Sequence, residues 1–401
     1  MAQEKKYIPE LRFPEFKNDG EWNSDTMENI FEIRNGYTPS KSNPEYWEGG
    51  TIPWFRMEDI RTNGHVLSDS IQHITPLGVK GSGLFPAYSI IVATTATIGE
   101  HALIIVDSLA NQQFTFLTKR KSFEDKLDML YFHYYMFIID EWCKKNTNAG
   151  GLLSVNMDSF KKLTIPYPPS LSEQRKIAEC FVSLDKQIDF TKKKLEKLKE
   201  HKKGLMQRLF PYNGKTMPDI RFPEFYDEVA WTITKNDCVI KTITPPKKLS
   251  SSEYKVNGKY PIVDQSINFI AGYSDDETAV VHNEDNDYVV FGDHTCILKR
   301  VNFPFIQGAD GVKIFTSKYS DLLTLYIYQY MCAHPIMSKE YKRHFSDLRE
   351  QEFIYPKKME EQEKIAQSLL SLDEIILAYE NKVSTMERHK KALMQQLFPQ
   401  L

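Results

Sequence analysis

The sequence lacks any run of about 18 apolar residues, so no membrane span is expected. Met-Ala-Gln-Glu-Lys-Lys at its start leads into no apolar segment, so no secretory leader is expected either. Cysteine is scarce. The five (Cys143, Cys180, Cys238, Cys296, Cys332) are scattered, odd in number and form no C-x-x-C pair. That pattern fits reduced thiols in a cytoplasmic protein and excludes a disulfide framework or a zinc site. An excess of one charge is also missing: 51 basic against 54 acidic residues gives net −3. Taken alone, this argues against a nucleic-acid binder, whose footprint is usually basic. What remains is 401 residues with 41% hydrophobic and 26% charged side chains, an ordinary globular composition for two or three domains.

Catalytic signatures are missing as well. No G-x-G-x-x-G dinucleotide fingerprint and no His-Glu-x-x-His metal motif occurs. Gly214-Lys215-Thr216 resembles the tail of a phosphate-binding loop, but the glycine needed five positions earlier is Leu209. Asn43-Pro44-Glu45-Tyr46 has Glu where a methyltransferase loop needs a second proline. Pro218-Asp219 with Glu224 is faintly nuclease-like, yet no Glu-x-Lys follows. The ten histidines are dispersed and read as surface or structural.

What the chain does have is a repeat. Pro9-Glu10-Leu11-Arg12-Phe13-Pro14-Glu15-Phe16 recurs as Pro218-Asp219-Ile220-Arg221-Phe222-Pro223-Glu224-Phe225, and Trp22 recurs as Trp231. Glu173 to Pro211 aligns without gaps onto Glu361 to Pro399, with 19 identities in 39 positions. Glu-Gln, Lys-Ile-Ala, Ser-Leu-Asp, His-Lys-Lys and Leu-Met-Gln-x-Leu-Phe-Pro stand in both copies. Between these blocks, residues 23–165 and 232–355 share little identity. Duplicated ends with dissimilar middles imply one scaffold carrying two different payloads.

The long repeat has a heptad seam. Ile177, Phe181, Leu184, Ile188, Leu195, Leu198, Leu205 and Leu209 follow alternating steps of four and three, interrupted at Thr191 and Lys202. Ile365, Leu369, Leu372, Ile376, Val383, Met386, Leu393 and Leu397 keep the same register, interrupted at Tyr379 and Lys390. Sustained spacing of this kind predicts two helices paired as a coiled coil. Ser170 or Ser172 can cap the first, and Glu173 sits where a negative charge suits the helix dipole. Pro211 and Pro399 end the helices. Some 40 residues at ~1.5 Å each make rods of about 60 Å. The second payload leaves the end of one helix and returns to the start of the other, so an antiparallel pair is expected. The lysines on the seam, Lys202 and Lys390, read as snorkelling or register-setting positions.

The expected fold is therefore α+β, with two mixed domains separated by an antiparallel coiled coil, pseudo-two-fold and circular. The expected divisions are a first mixed domain with its N-terminal segment over 1–168, a spacer helix over 169–211, a linker and second domain over 212–356, and a second helix over 357–401. Short strand-like runs punctuate the first domain at Asn29–Arg34, Thr51–Phe55, Ile90–Thr94, Ala102–Val106 and Phe114–Thr118, with a helix over 126–142. The second has Val280–Val281, Tyr288–Phe291, Cys296–Val301 and Val312–Thr316, with a helix near 320–333.

Further motifs carry a resemblance. They are Gly36-Tyr37-Thr38-Pro39-Ser40, Pro44-Glu45-Tyr46-Trp47, Ile52-Pro53-Trp54, Asn111-Gln112-Gln113, and Ile165-Pro166-x-Pro168 running into Glu173-Gln174-x-x-Ile177. In this order, with the half-repeat, the chain resembles the specificity subunit of type I restriction-modification enzymes over nearly its whole length. The second domain departs from the pattern, with Thr244-Pro245-Pro246 and Tyr260-Pro261-Ile262 at similar places. The resemblance implies a non-catalytic subunit whose two domains each read one half of a bipartite, non-palindromic site in double-stranded DNA. It implies that the helices set the gap and dock two modification subunits, which bind S-adenosylmethionine and methylate adenine. Restriction subunits would add ATP- and Mg-dependent translocation and cleavage. No cofactor, metal or membrane is expected for this chain itself.

Base reading needs Arg, Lys, Asn or Gln on loops. The candidates are Lys41, Ser42, Arg56, Arg61, Gln112, Gln113, Lys144, Lys145 and Asn146 in the first domain, and Lys247, Lys248, Lys299, Arg300, Lys342, Arg343 and His344 in the second. Each competes with a solvated surface charge, and Gln112 and Gln113 with a structural hydrogen bond. The Lys192–Lys203 cluster reads as a solvated helix face, with contact to DNA phosphates or to the modification subunits as the alternative. Two other function classes stay open: a methyltransferase or nuclease with fused recognition domains, and a coiled-coil adaptor that binds no nucleic acid. The neutral charge is compatible with DNA reading if partner subunits neutralise much of the phosphate charge; it implies weak DNA binding by the isolated chain. If the helices act as a ruler, inserting one heptad within 190–200 changes the gap between half-sites and leaves both halves intact; methylome sequencing that returns an unchanged gap refutes the ruler.

Overall fold

The computed structural model describes residues 7–148, 153–212, 214–282, 287–308, 311–337 and 343–399. The chain divides into two compact units: residues 1–190 with 382–401, and residues 191–381.

The first unit is built on strands β1 (Phe31–Asn35), β2 (Ile52–Phe55), β3 (Ser89–Ala93), β4 (His101–Ile104), β5 (Leu109–Ala110) and β6 (Phe114–Lys119). The main sheet runs β1-β6-β3-β4, each neighbour antiparallel, with Val66–Leu67 added parallel at the β4 edge. Every residue of β3 is buried, which is why Ser-Ile-Ile-Val-Ala reads as one apolar run and not as an alternation. β2 and β5 pair parallel in a smaller sheet beside His73–Ile74. Helix α1 (Met129–Lys145) packs on β3 and β4. Its N-cap Asp128 accepts hydrogen bonds from the Leu130 and Tyr131 amides, so the helix starts three residues later than the apolar pattern suggests. The expected strand from Asn29 begins at Phe31, because Met27–Ile30 makes one helical turn that buries Met27 and Ile30.

The second unit has β7 (Ile240–Ile243), β8 (Tyr260–Val263), β9 (Tyr288–Gly292), β10 (Leu298–Val301), β11 (Phe305–Gly308) and β12 (Val312–Ser317). Its main sheet runs β7-β12-β9-β10, and β8 pairs parallel with β11. The neighbour order thus matches that of the first unit, although the two middles share little sequence. What they share is a burial pattern: β9 is buried from Val289 to Gly292, as β3 is throughout. Helix α3 (Thr324–Ala333) packs on β9, β10 and β12.

The two long helices are α2 (Leu171–Leu209) and α4 (Met359–Leu397), 39 residues each. Ser170 supplies the cap, its hydroxyl accepting from the Ser172 amide at 3.2 Å. Glu173 does more than complement a dipole. It is fully buried and takes both Nε and Nη2 of Arg12 at 2.7 Å. Glu361 holds Arg221 in the same bidentate way, at 2.6 and 2.7 Å. The adjoining glutamine is buried too. Gln174 accepts from the Asp128 amide and donates to the carbonyls of Lys126 and Pro168. Gln362 accepts from the Leu323 amide and donates to Asp321 and Pro356. The repeated Glu-Gln therefore ties three chain segments together at the start of each helix.

On the seam, Ile177, Phe181, Ile188, Leu195, Leu209, Ile365, Leu369, Val383 and Leu397 are buried, and the remaining apolar positions are half-buried. In the first unit, the start of α2 lies beside the end of α4: Asp185 pairs with Lys390 at 2.5 Å, and Phe398 packs on Phe181, Tyr131 and Tyr135. In the second, the end of α2 lies beside the start of α4: Lys202 pairs with Asp373 at 2.5 Å, and Phe210 packs on Tyr326 and Tyr330. The helices are antiparallel in both. The seam lysines are ion-paired to the aspartates of the Ser-Leu-Asp repeats, beyond simple snorkelling. Opposite charges at these levels favour this register, since a slip of one heptad would set both lysines opposite alanines, Ala366 and Ala178, in one direction and Lys390 opposite Lys192 in the other.

The short repeats complete the cores. The Leu11 amide donates to the Gln396 carbonyl at 2.9 Å, and the Ile220 amide to the Arg208 carbonyl at 3.0 Å. Removing one partner of a buried ion pair leaves the other charge uncompensated and costs about 3–5 kcal/mol. Arg221→Ala is therefore expected to destabilise the second unit by about that amount; urea unfolding showing a loss below about 1 kcal/mol would contradict the anchor.

Candidate nucleic-acid interface

Strand direction gathers the loops of the first unit at one end of its sheets. β1 ends at Asn35, β3 ends at Ala93, and β6 begins opposite both at Phe114 and Thr115. β2 and β5 run parallel and end at Phe55 and Ala110, and the Asn111 amide donates to the Phe55 carbonyl. The loops after β1, β2, β3 and β5 therefore share one rim. The segment after α1 joins it: the Val155 amide donates to the Thr94 carbonyl, and Thr95 bridges Ser154.

The motifs that carried the resemblance build this rim from below. Gly36 is obligatory, because a Cβ there would lie 2.3 Å from the Ala110 carbonyl oxygen. Trp54 donates from its indole to the Tyr37 carbonyl, and Trp47 to that of Ser40. The two indoles meet edge to face at 4.9 Å, and the Lys80 ammonium sits over the Tyr37 ring at 4.5 Å. These aromatics hold the 36–42 loop rigidly, so its short polar side chains can be displayed without a large ordering cost on binding.

The candidates then separate. Lys41 and Ser42 are exposed on that loop, and Gln112 is exposed beside it, hydrogen-bonded to Thr38 at 2.5 Å. Gln113 accepts from Asn111 at 3.3 Å and its amide donates to the Asn111 side chain, so it mainly shapes the turn. Arg56 follows β2 directly, pairing with Glu58 at 3.0 Å, with its Nε buried and without a hydrogen-bond partner among the described residues. Arg61 is exposed on the helix Met57–Asn63. Lys144 and Lys145 are exposed at the end of α1, Lys144 on Glu141, whereas Asn146 is turned inward onto the Trp142 carbonyl.

The second unit repeats the rim with different side chains. The loops after β7, β8 and β9 lie beside the start of β12. Lys247 is exposed and paired with Asp276, and Lys248 is exposed. Arg343 is exposed and Lys342 lies outside the described residues. Two candidates, Lys299 and His344, are corrected, and Arg300 stands as Arg56 does, half-buried and ion-paired. Lys299 is 4% exposed, and its ammonium donates to the carbonyls of Asp264 and Asn268; burial pushes its pKa down, and it braces a loop. The partner of Arg300 is Asp287. His344 is fully buried, its amide on the Asp293 carbonyl. Charged residues in a strand looked available from sequence, but alternation turned Lys299 into the protein.

Composition gave no sign of the turns after β3 and β9. Ala96 and Cys296 both adopt left-handed backbone, at φ 62° and 57°. Under the first turn lies a buried polar brace. Gly99 packs on the Asp140 backbone, and His101 joins the Asp140 carboxylate at 2.8 Å and the His133 carbonyl at 3.1 Å. Burial holds the His133 imidazole well below its ordinary pKa of 6.5, helped by His101, His65 and Lys390. A depressed base binds protons more readily when unfolded, so its stabilisation is present above pH 6.5 and is lost as pH falls below that value. Thermal unfolding between pH 7.5 and 5 is expected to show the melting temperature of the first unit dropping in acid, with a shallower slope in His133→Leu; equal slopes refute this assignment.

Residues 19–200 match the type I restriction modification DNA specificity domain. The chain is 48% identical over 174 residues to the specificity subunit of the Escherichia coli type I restriction enzyme EcoprrI, covering 43% of each. It is 26% identical over 252 residues to the MjaIX specificity subunit of Methanocaldococcus jannaschii, covering 61% of this chain and 57% of that one. The aligned parts thus span about half the length of these curated relatives. In fold, the chain is similar to the type I restriction-modification S subunit from M. genitalium, with a TM-score of 0.65 at 16% identity over 98% of this chain and 100% of that one. Over residues 19–200 the chain is thus similar in sequence to the type I restriction modification DNA specificity domain, and over nearly its whole length it shares the fold of a solved S subunit.

Proposed function

We propose that this chain is the non-catalytic DNA-reading subunit of a type I restriction-modification complex, each unit reading one half of a bipartite site in double-stranded DNA. The observation that carries the reading is the pair of rims: one strand order, one loop-bearing end in each unit, and different side chains on them. A shared scaffold with unlike loops suits two unlike half-sites. Lys41, Ser42, Arg56, Arg61, Gln112, Lys144 and Lys145 are the contacts proposed for the first half. Lys247, Lys248, Arg300 and Arg343 are those proposed for the second. The α2–α4 pair sets the gap and docks two modification subunits, which supply S-adenosylmethionine and adenine methylation. Restriction subunits supply the ATP- and Mg-dependent cleavage.

The local salt bridges favour a division of labour. Lys247 and Lys144 are exposed but already paired with Asp276 and Glu141, so phosphate must displace a carboxylate. That weakens binding by this chain alone and leaves the partners to supply much of the counterion release.

The test is methylome sequencing of a host expressing the chain with its modification partner. A single bidentate base contact is worth ~1–3 kcal/mol of discrimination. Gln112→Ala is expected to relax one position in one half of the motif by roughly 5- to 100-fold and leave the other half unchanged. A bipartite motif that does not respond to substitutions in either rim, or methyl transfer by the purified chain alone, overturns the proposal.

A further inference from the structure

The two rims differ most after the second strand. By their parallel pairing, Phe55 of β2 corresponds to Val263 of β8, so Arg56 corresponds to Asp264. The first unit puts a guanidinium there. The second puts a loop, Asp264 to Ile270, whose outermost residue is apolar: Ile267 is 88% exposed.

This loop is not slack. Asp264 accepts from the Ser266 amide and hydroxyl at 2.9 and 2.5 Å. The buried Lys299 ammonium donates to the carbonyls of Asp264 and Asn268, one on each side of Ile267, at 2.8 and 2.5 Å. The Gln265 side chain accepts from the His294 amide, and its carbonyl accepts from Thr295. Phe269 rests edge-on against Phe303 at 6.1 Å. A buried charge and two polar turns thus fix the base of a β-branched apolar tip, itself stiff about χ1, on the loop end that carries the other candidate readers. An exposed isoleucine gains nothing from such fixing in the free protein. It gains when a partner offers apolar surface at a set position. On DNA, that surface is the thymine methyl in the major groove or the face of an unstacked base.

We propose that Ile267 is a specificity-determining contact of the second unit, packing against the apolar surface of a base in its half-site. This rests on the DNA-reading assignment above. The test uses the complex with its modification subunits and the duplex defined by the methylome. Ile267→Ser is expected to weaken binding to that duplex about ten-fold, with unchanged melting temperature and unchanged binding to random duplex. Replacing one thymine of the second half-site by deoxyuridine should weaken the wild type and not the variant if a methyl is read. A 2-aminopurine probe should brighten only with the wild type if a base is unstacked. Wild-type affinity and half-site preference in Ile267→Ser, while the wild-type complex binds its site, overturn this contact alone; no specific binding by the wild-type complex overturns the assignment beneath it.

Discussion

The structure depends on the buried Glu-Gln step at the start of each long helix. The carboxylate of Glu173 or Glu361 is fully removed from water, and such a charge is tolerable only with a bidentate partner. Arg12 and Arg221 supply it from segments about 140 to 160 residues away. The neighbouring glutamines satisfy an amide and two carbonyls each, closing the junction between domain, strand and helix. Within each unit, these junctions set where the helix leaves its domain.

The scaffold was legible in the sequence because it is duplicated. The heptad register, the antiparallel pairing and the pairing of repeated blocks all follow from positions that recur at a fixed shift. Even so, the partners were misjudged. Glu173 read as a dipole complement because its arginine lies far away in the chain, and the seam lysines read as snorkelling or register-setting positions without named partners because the aspartates stand in another repeated motif. Local pattern shows that a residue is special; only tertiary contact shows what it meets.

The rims were legible in part. Gly36, Trp47 and Trp54 drew attention as motif residues, and they prove to be the supports of a loop. The side chains they support are plain polar ones with no signature. In the second unit, Lys299 and His344 attracted notice for charge and are buried, whereas Ile267 attracted none and is nearly bare. Charge marks candidate readers only when strand alternation and loop geometry leave them outside.

The interleaving of the two units has a consequence for synthesis. The second unit is one continuous stretch, residues 191–381, whereas the first needs residues 382–401 as well. Phe398 fills the space among Tyr131, Tyr135 and Phe181, so that space stays open until the ribosome has passed the whole of the second unit. Domains usually fold in the order they emerge, at about 5–20 residues per second. Here the domain begun first is finished last. For tens of seconds a nascent chain displays an aromatic cleft that residues 382–401 must fill, and a chain lacking that segment would have one finished unit and one unfinished one.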